Sequence, residues 1–424
     1  MNYNEVLSYI YDIPRFTTKH GLEYSKRLLG WLGHPEESFR VIHVAGSNGK
    51  GSVCAYLNSI LRECKIRTGL FTSPHLNDIR ERFLVDGEMI TKEEFLEDFD
   101  DVMKAVKENG EEHPTFFELL FLMAALRFKK AGTEVVVFET GLGGRLDATN
   151  SVAKPEVCVI TSLSLEHTEY LGNTIEEIAR EKGGIIKENV PVVFDASNQE
   201  AAKVLSEISK EKHAAFYEVK PENIKILETN IKGIDFSFTS KYYNLVTYVN
   251  TPAVYQTMNA SLAAVCARLV LGEGADKAIN DGIKKTRWQG RMEEALPKVF
   301  IDGAHNPAGI DAFVKSVKNI PMETKPMLLF SVVNDKDYNK MADILTEDKI
   351  WESVCICGID DKRALDKDII KEMFSKRGYE PYCFETSREA FLFALDKKED
   401  NQYLFVAGSL YFAGEIKEII NDRF

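Results

Sequence analysis

A glycine-rich segment follows directly on an apolar run near position 45 of the sequence. The run Arg40–Val44 is typical of a β-strand, and the segment Gly46–Ser52 contains mostly small residues around one lysine. Beyond it, apolar residues recur at the spacing of one helix face: Val53, Leu57, Ile60, Leu61 and Cys64. A strand, a glycine-rich loop and a helix in this order are typical of an α/β domain that binds phosphate at the helix N-terminus.

Strand-like and helical segments alternate along most of the remaining chain. Further strands are predicted at Glu134–Glu139, Glu156–Thr161, Pro191–Phe194, Lys298–Ile301, Met327–Val333, Ser353–Gly358 and Tyr403–Ala407. Helical stretches lie between most of them, which predicts an α/β protein with mainly parallel sheets. In such sheets, ligands bind at the carboxyl ends of the strands.

One segment departs from this alternation. Gly233–Tyr248 alternates polar and apolar residues, which predicts antiparallel strands at the edge of the first domain. A long helix is predicted at about Gln256–Leu271, and the strand–helix pattern then restarts. We place the domain boundary near Glu294–Pro297, so that residues 1–294 form the first domain and residues 298–424 form a smaller second one.

Composition and charge exclude several classes of protein. The chain of 424 residues has a net charge of -13, whereas a nucleic-acid-binding surface needs clustered Lys and Arg. Its seven cysteines are odd in number and form no C-x-x-C pair, so we expect them to be buried and reduced. No secretory signal is recognisable, and no apolar run reaches the roughly 18 residues of a membrane span. We therefore expect a cytoplasmic protein with neither a nucleic-acid partner nor a membrane anchor.

The glycine-rich loop departs from the Walker A template G-x-x-x-x-G-K-[ST] at both ends. Val44 stands at the position of the first glycine, and Gly51 follows Lys50. The physical requirements are still met, because small residues let backbone N–H groups turn toward a polyphosphate. Lys50 is predicted to reach the β- and γ-phosphates, and Ser52 to offer its hydroxyl to Mg²⁺. The predicted nucleotide contacts of the loop are Ser47, Asn48, Gly49, Lys50, Gly51 and Ser52.

Several further blocks, in one order along the chain, resemble those of the folylpolyglutamate synthases, a branch of the Mur ligase superfamily. The loop Gly46–Ser52 resembles that family's GTNGKGS. The other blocks are Thr72–Leu76, Phe116–Glu118, Glu139–Asn150, His167–Gly172, Glu181–Lys187, Arg291, Asp302–Pro307, Asp335–Tyr338 and Gly408–Phe412. The resemblance covers nearly the whole chain, and it implies a P-loop Mur-ligase-type domain followed by a smaller Rossmann-like glutamate-ligase domain.

The resemblance also implies a reaction. ATP phosphorylates a carboxylate, and the amine of L-glutamate displaces phosphate from the resulting acyl phosphate. The acceptor is dihydropteroate, a reduced folate with glutamate residues, or both, and the sequence leaves this choice open. Cations must neutralise a polyphosphate that meets an anionic carboxylate, which fits Lys50 and Mg²⁺. We expect a monomer that uses ATP and Mg²⁺.

Metal ligands are carried over from the same resemblance. They are expected to be Ser52, Ser73, Glu139, His167 and Lys182. Lys50, Glu139, His167 and Lys182 are the expected catalytic residues. Lys182 is expected to be carbamylated, which would turn a cation into an anionic oxygen ligand. Glu166 stands where the family usually has Asp, so the geometry through that longer carboxylate is open.

The remaining site residues are assigned to the nucleotide and to the pterin. The expected ATP contacts outside the loop are Asn259, Arg291, Asp302 and His305. The residues expected to bind the pterin are Phe116, Phe117, Glu118, Leu146, Asp147 and Ala148. An aromatic face can stack on a pterin and a carboxylate can accept its N–H groups, but Phe116 and Phe117 could equally be plain core residues.

Two other functions compete with this interpretation. One is a different Mur-type ligase, such as a peptidoglycan-precursor enzyme, in which Thr usually replaces Gly51. The other is a nucleotide-binding regulatory protein without catalysis. The joint presence of Lys50, Glu139, His167 and Lys182 disfavours the second, because each has a phosphate or metal role in the family.

Overall fold

The computed structural model describes residues 1–13 and 20–423, which form two compact units. The first unit consists of Met1–Lys225, Ser237–Thr247 and Met258–Thr286. The second consists of Ile226–Phe236, Tyr248–Thr257 and Arg287–Phe424. Within the described residues, every helix is too short or too polar to cross a membrane.

The helices and strands alternate along most of the chain. The α-helices are α1 (Tyr3–Asp12), α2 (Leu22–Trp31), α3 (Lys50–Glu63), α4 (Lys92–Glu108), α5 (Phe116–Ala131), α6 (Thr168–Leu171), α7 (Ile175–Gly183), α8 (Gln199–Glu211), α9 (Tyr255–Leu271), α10 (Asp276–Lys285), α11 (Pro307–Asn319), α12 (Tyr338–Thr346), α13 (Lys367–Ser375), α14 (Ser387–Lys397) and α15 (Leu410–Arg423). The strands are β1 (Arg40–Ala45), β2 (Thr68–Phe71), β3 (Phe83–Val85), β4 (Glu88–Met89), β5 (Val135–Glu139), β6 (Val157–Ile160), β7 (Val192–Asp195), β8 (Phe216–Val219), β9 (Ile224–Asn230), β10 (Gly233–Thr239), β11 (Asn244–Val249), β12 (Glu293–Leu296), β13 (Val299–Ile301), β14 (Met327–Phe330), β15 (Ser353–Cys357), β16 (Tyr382–Phe384) and β17 (Leu404–Ala407).

An eight-stranded sheet lies in the first unit, in the order β4-β3-β2-β5-β1-β6-β7-β8. The strands from β2 to β8 in this order run parallel, whereas β3 and β4 are antiparallel to their neighbours. β1 lies between β5 and β6, with Val44 beside Glu139 and Ala45 beside Ile160. The carboxyl ends of these three strands therefore meet at one edge, which is where ligands bind in open α/β sheets.

Both faces of this sheet are covered. On one face, buried side chains of α1, α2, α4 and α5 form a core in which Phe71, Phe121, Phe128 and Phe138 pack together. Further along the same face, residues of α7 and α8 pack against β6 and β7. On the other face, Ile42 and Val44 of β1 are also buried, and α3 packs against β1, β2 and β5. Because the central parallel strands are buried on both faces, β1 and β5 appear in the sequence as continuous apolar runs rather than as alternating ones.

The second unit contains a six-stranded sheet in the order β12-β13-β17-β14-β15-β16. All its neighbouring strands run parallel except β12 and β13, which are antiparallel. Apolar side chains of α11, α12 and α13 pack on this sheet, among them Phe313, Met341 and Phe374. The predicted fold class, two α/β parts with mainly parallel sheets, is confirmed, and each predicted strand coincides with an observed one.

The structure adds detail at two of the predicted places. The segment Gly233–Tyr248 forms strands as predicted, and β10 and β11 join β9 in a separate three-stranded sheet. β12 pairs with β13 and so belongs to the second sheet, and the longest segment of the second unit starts at Arg287. The domain boundary near Glu294–Pro297 stays a prediction.

Candidate functional site

The glycine-rich loop connects the carboxyl end of β1 to the N-terminus of α3. Gly49 has a φ of 91°, a left-handed value that disfavours other residues, and it is the N-cap of the helix. A Cβ at Gly49 would collide with Oδ1 of Asn259 in α9. Lys50, Gly51 and Ser52 form the first turn of α3, where backbone N–H groups lack partners within the helix. The predicted loop residues and Asn259 therefore lie together.

The loop is held against the segment that follows β6. The backbone N–H of Ser47 donates to the carbonyl of Ser162 at 2.9 Å, and the Ser47 hydroxyl and the Ser164 backbone bond each other in both directions at 3.1 Å. The carbonyl of Asn48 accepts hydrogen bonds from the hydroxyls of Thr161 at 2.7 Å and Ser162 at 3.1 Å. These bonds fix the backbone of the loop without using the N–H groups of the first turn of α3.

Two lysines converge on one carbonyl of the loop. Nζ of Lys50 donates to the carbonyl of Gly46 at 2.9 Å and to that of Ser47 at 3.3 Å. Nζ of Lys182, near the end of α7, donates to the same Gly46 carbonyl at 2.8 Å and forms an ion pair with Oε1 of Glu166 at 2.9 Å. Lys182 is only 1% exposed, so a cation that looks like a surface residue in the sequence is buried beside the phosphate loop.

Burial and charge act in opposite directions on the Lys182–Glu166 pair. Burial alone would raise the pKa of Glu166, but the ammonium groups of Lys182 and Lys50 outweigh it and bring that pKa to about 2. Burial lowers the pKa of Lys182, and the charge of Glu166 opposes this effect. The pair is thus an ammonium and a carboxylate that stabilise each other in a buried place.

Glu139 ends β5 at the same edge and is almost completely buried. Its Oε2 accepts a hydrogen bond of 2.8 Å from the backbone N–H of Ser73, which brings these two predicted metal ligands together. Carboxylate and hydroxyl oxygens are the hard donors that Mg²⁺ prefers, so Glu139, Ser73 and Ser52 fit this ion by their chemistry. Lys182 as an ammonium ion cannot ligate a cation.

His167 lies next to Glu166 and is the N-cap of α6, with a left-handed φ of 47°. Its charge, when present, would lower the pKa of Glu166, which places the two side chains in one electrostatic environment. Among the described residues, only His34, Glu36 and Glu37 bring three His, Cys, Asp or Glu ligand atoms within 4.8 Å of one another, and these residues precede β1, at its amino end. Glu139 and His167 therefore do not belong to such a three-residue group.

The residues predicted to bind the pterin lie around α5 and the loop after β5. Phe117 packs beside Phe71, and a Cβ at Gly141 would collide with its ring. Phe116 is largely buried, and the guanidinium of Arg82 lies 5.4 Å from the centre of its ring. Both rings contribute to the core, as the alternative interpretation expected, and Phe117 also defines the position of the Gly141 turn.

The carboxylate of Glu118 contacts two other residues of the first unit, Thr115 and His20. Its Oε2 accepts the backbone N–H of Thr115 at 2.8 Å, which closes a capping box at the start of α5, and lies 3.0 Å from Nδ1 of His20. Leu146 is 46% exposed, whereas Ala148 is buried. Of these three residues, Leu146 offers the accessible apolar surface.

Asp147 is buried, and its carboxylate is used within its own loop. Oδ2 accepts the backbone N–H groups of Gly141 at 2.9 Å and Leu142 at 3.0 Å. Oδ1 accepts the backbone N–H of Thr149 at 3.1 Å and lies 2.6 Å from the Thr149 hydroxyl. Asp147 thus holds the Gly141–Thr149 loop in shape. The sequence predicted a contact of Asp147 with the pterin and did not predict this role.

The second unit carries three predicted nucleotide contacts. Asp302, just after β13, is buried, and its carboxylate accepts hydrogen bonds from the Tyr255 hydroxyl at 2.6 Å and from the backbone N–H of Met292 at 2.9 Å. Burial raises the pKa of Asp302, and the guanidinium of Arg291 opposes this effect. Nδ1 of His305 lies 2.8 Å from the carbonyl of Gly303.

Sequence reasoning missed several residues that position the site. Thr161, Ser162 and Ser164 brace the phosphate loop, and Tyr255 holds Asp302. Their only sequence signal was the position of Thr161 at the predicted carboxyl end of a strand, where ligand-binding loops begin. Tyr255 had no such signal, since it lies 47 residues from its partner.

Comparisons with known proteins agree with this arrangement. The Mur ligase middle domain matches residues 44–267, and the Mur ligase glutamate ligase domain matches residues 286–410. The dihydrofolate synthase/folylpolyglutamate synthase of Bacillus subtilis is 34% identical over 98% of each chain. The folylpolyglutamate synthase of Lacticaseibacillus casei is 29% identical over 99% of each chain.

Solved structures give the same result. Escherichia coli FolC in complex with DHPP and ADP superposes with a TM-score of 0.89 at 28% identity, covering 100% of this chain and 98% of that one. The Mycobacterium tuberculosis folylpolyglutamate synthase complexed with ADP gives a TM-score of 0.90 at 27% identity, covering 99% of this chain and 98% of that one. The chain therefore belongs to the folylpolyglutamate synthase and dihydrofolate synthase family of Mur ligases and is an ATP-dependent ligase.

Proposed function

We propose that this ligase joins L-glutamate through an amide bond to dihydropteroate, to (poly)glutamylated reduced folates, or to both, with ADP and phosphate as the other products. The observation that carries the proposal is the meeting of Lys50, Lys182 and Glu166 at the phosphate loop. The full-length likeness to a dihydrofolate synthase/folylpolyglutamate synthase supports the choice of substrates.

The chemistry follows from the charges in the first unit. The acceptor carboxylate attacks the γ-phosphorus of ATP, and the amine of glutamate then displaces phosphate from the acyl phosphate. In the proposed reaction Nζ of Lys50, which contacts the Gly46 carbonyl in the structure, turns to the phosphates. The backbone N–H groups at the N-terminus of α3 are proposed to donate to phosphate oxygens. Mg²⁺, when bound by Ser52, Ser73, Glu139 and His167, would supply further positive charge for the polyphosphate.

Lys182 is proposed to act as a carbamate. Carbamylation requires a neutral amine, and burial lowers the pKa of Lys182, which increases the neutral fraction. The carbamate would be an anionic oxygen ligand in the place of the ammonium group. Because a carbamate and a carboxylate repel each other, the ion pair between Lys182 and Glu166 would have to break. ¹³C NMR of the protein equilibrated with ¹³C-bicarbonate tests this modification directly, because a carbamate carbon gives a resonance distinct from those of bicarbonate and CO₂, and this resonance should be absent in Lys182→Ala.

The acceptor is proposed to bind in the first unit, beside the loop after β5. Leu146, Asp147 and Ala148 lie in that loop, and Leu146 supplies exposed apolar surface for a pterin ring. The other proposed acceptor contacts, Phe116, Phe117 and Glu118, form the start of α5, and the ring of Phe117 lies against Gly141 of the loop. Asn259, Arg291, Asp302 and His305 are proposed as further ATP contacts. Residues 1–294 and 298–424 are accordingly proposed as the ATP- and folate-binding part and the glutamate-ligase part.

The chain is further proposed to work as a monomer in the cytoplasm. All seven cysteines are free, which suits a reducing compartment. Light scattering coupled to size-exclusion chromatography measures the oligomeric state.

Phosphate release tests the proposed function. Purified protein with ATP, Mg²⁺ and glutamate is given dihydropteroate or tetrahydrofolate, and parallel samples lack glutamate. We expect glutamate-dependent release with at least one acceptor, and mass spectrometry should show an acceptor one glutamate heavier. ATP binding without release on either acceptor would contradict the proposal and favour a nucleotide-binding regulator.

A further inference from the structure

A fully buried histidine lies in the central strand of the first unit, next to the phosphate loop in sequence. His43 shares one face of β1 with Val41 and Ala45, because side chains alternate along a strand, and it is 0% exposed. Burial lowers its pKa to about 3, and Lys187 adds to this effect. The imidazole is therefore neutral at physiological pH, and neither nucleotide nor metal binding has been assigned to it.

His43 has one hydrogen-bond partner among the described residues. Nε2 lies 2.8 Å from Oγ1 of Thr149, whereas Nδ1 is buried without a partner. Oγ1 of Thr149 in turn lies 2.6 Å from Oδ1 of Asp147. We call His43, Thr149 and Asp147 the His43 chain.

The direction of these hydrogen bonds follows from counting protons. Three backbone N–H groups donate to Asp147, and an ionised carboxylate can only accept. The single hydroxyl proton of Thr149 therefore points to Asp147, and Nε2 of His43 must carry the proton that Oγ1 of Thr149 accepts. The opposite tautomer would bury an N–H at Nδ1 without an acceptor and leave two acceptors facing each other.

We propose that His43 is a positioning residue that, through Thr149, fixes the carboxylate of Asp147 so that it holds the turn at Gly141 and Leu142. With Oδ1 occupied by Thr149, Oδ2 is directed at the two N–H groups of this turn. Gly141 of this turn lies against the ring of Phe117. The effect on acceptor binding rests on the proposed function, because that function places the acceptor beside this turn.

Thr149 offers a matched pair of variants. Thr149→Val keeps the shape of the side chain and removes the hydroxyl, whereas Thr149→Ser keeps the hydroxyl. We expect Thr149→Val to raise the KM for the pteroate or folate acceptor about tenfold, as for a buried hydrogen bond left unmade, with the KM for ATP within twofold of wild type. Thr149→Ser should restore the acceptor KM. The proposal would be overturned if the acceptor KM of both variants equalled that of wild type. It would also be overturned if the acceptor KM rose equally in both variants.

Two measurements on the protein without substrates separate this inference from the proposed function. Amide hydrogen exchange at residues 141–142 should be about tenfold faster in Thr149→Val and in His43→Leu, but near wild type in Thr149→Ser and in His43→Gln, which keeps a donor. Two-bond ¹H–¹⁵N spectra of ¹⁵N-histidine protein should show the Nε2–H tautomer for the resonance lost in His43→Gln. Unchanged exchange in both disruptive variants, or an Nδ1–H tautomer, refutes the His43 chain even if the enzyme is active. A correct tautomer and loosened turn in a protein without ligase activity would instead refute only the proposed function.

Discussion

The buried ion pair between Glu166 and Lys182 predicts a large and pH-dependent contribution to stability. The change is Glu166→Gln, which keeps the shape and removes the charge. The pKa of Glu166, about 2 against an ordinary value of 4.5, corresponds to about 3 kcal/mol in favour of the ionised form. Removal of one partner of a buried pair also leaves the other charge uncompensated, and such changes destabilise proteins by about 3–5 kcal/mol. We therefore expect Glu166→Gln to lower the free energy of unfolding of the first unit by about 3 kcal/mol at pH 7.

The pH dependence follows from the sign of the pKa shift. Because the pKa of Glu166 is lower in the folded protein, its contribution is complete above pH 4.5 and is lost as the pH falls toward 2. The stability difference between wild type and Glu166→Gln should therefore shrink between pH 4.5 and pH 2. Urea unfolding followed by circular dichroism, in EDTA to exclude bound cations, measures this difference.

A control variant lies on the same helix. Glu176 pairs with Arg180 across one turn of α7, but both side chains are about half exposed. Glu176→Gln should change the free energy of unfolding by less than about 0.5 kcal/mol at any of these pH values. If the two variants are equally stable at pH 7, the buried ion pair does not stabilise the fold and the reasoning is refuted.

Three further variants test the phosphate loop and its neighbours. Lys50→Ala should abolish glutamate-dependent phosphate release but keep the circular dichroism spectrum of wild type, because Lys50 lies at the N-terminus of α3 outside the buried core; an unfolded variant would contradict this. Gly49→Ala should weaken ATP binding in calorimetry about tenfold or more, because the left-handed backbone and Oδ1 of Asn259 both oppose a Cβ, and unchanged affinity would show that the loop tolerates another conformation. Lys182→Ala should leave ATP binding measurable and reduce kcat, with partial recovery on addition of a short carboxylate such as acetate, whereas a normal kcat would exclude a role for a carbamate.

The fold was predictable where strands are buried on both faces. β1, β5 and β6 appear as apolar runs in the sequence, and their predicted bounds agree with the structure to within one residue at each end. β4 consists of two exposed residues, and none of the four residues of β12 is buried. Neither strand therefore shows the apolar or alternating pattern by which a strand is recognised in a sequence. Because β12 has no such pattern, the sequence places the restart of the strand–helix alternation at Lys298, one strand after the sheet begins.

The sequence motifs supplied candidate residues for the site but not the contacts between them. Motif positions gave Lys50, Glu139 and Lys182 as candidates, yet no local pattern indicates that Lys182 donates to a carbonyl 136 residues earlier in the chain. The same holds for Thr161, whose hydroxyl donates to the carbonyl of Asn48, a residue 113 positions earlier in the chain. Asp147 was assigned to substrate from its motif, and only the hydrogen bonds show that its oxygens hold its own loop.

The carbonyl of Gly46 accepts hydrogen bonds from both Lys50 and Lys182, so the roles proposed for these two lysines would depend on each other thermodynamically. If Lys182 left that oxygen on carbamylation, the contact that retains Lys50 would change, and with it the readiness of Lys50 to turn to a phosphate. Linkage is reciprocal, so bound ATP would shift the modification equilibrium of Lys182 by the same factor by which that equilibrium shifts the affinity for ATP. A single peptide oxygen would thus couple two equilibria at residues 132 positions apart in the sequence.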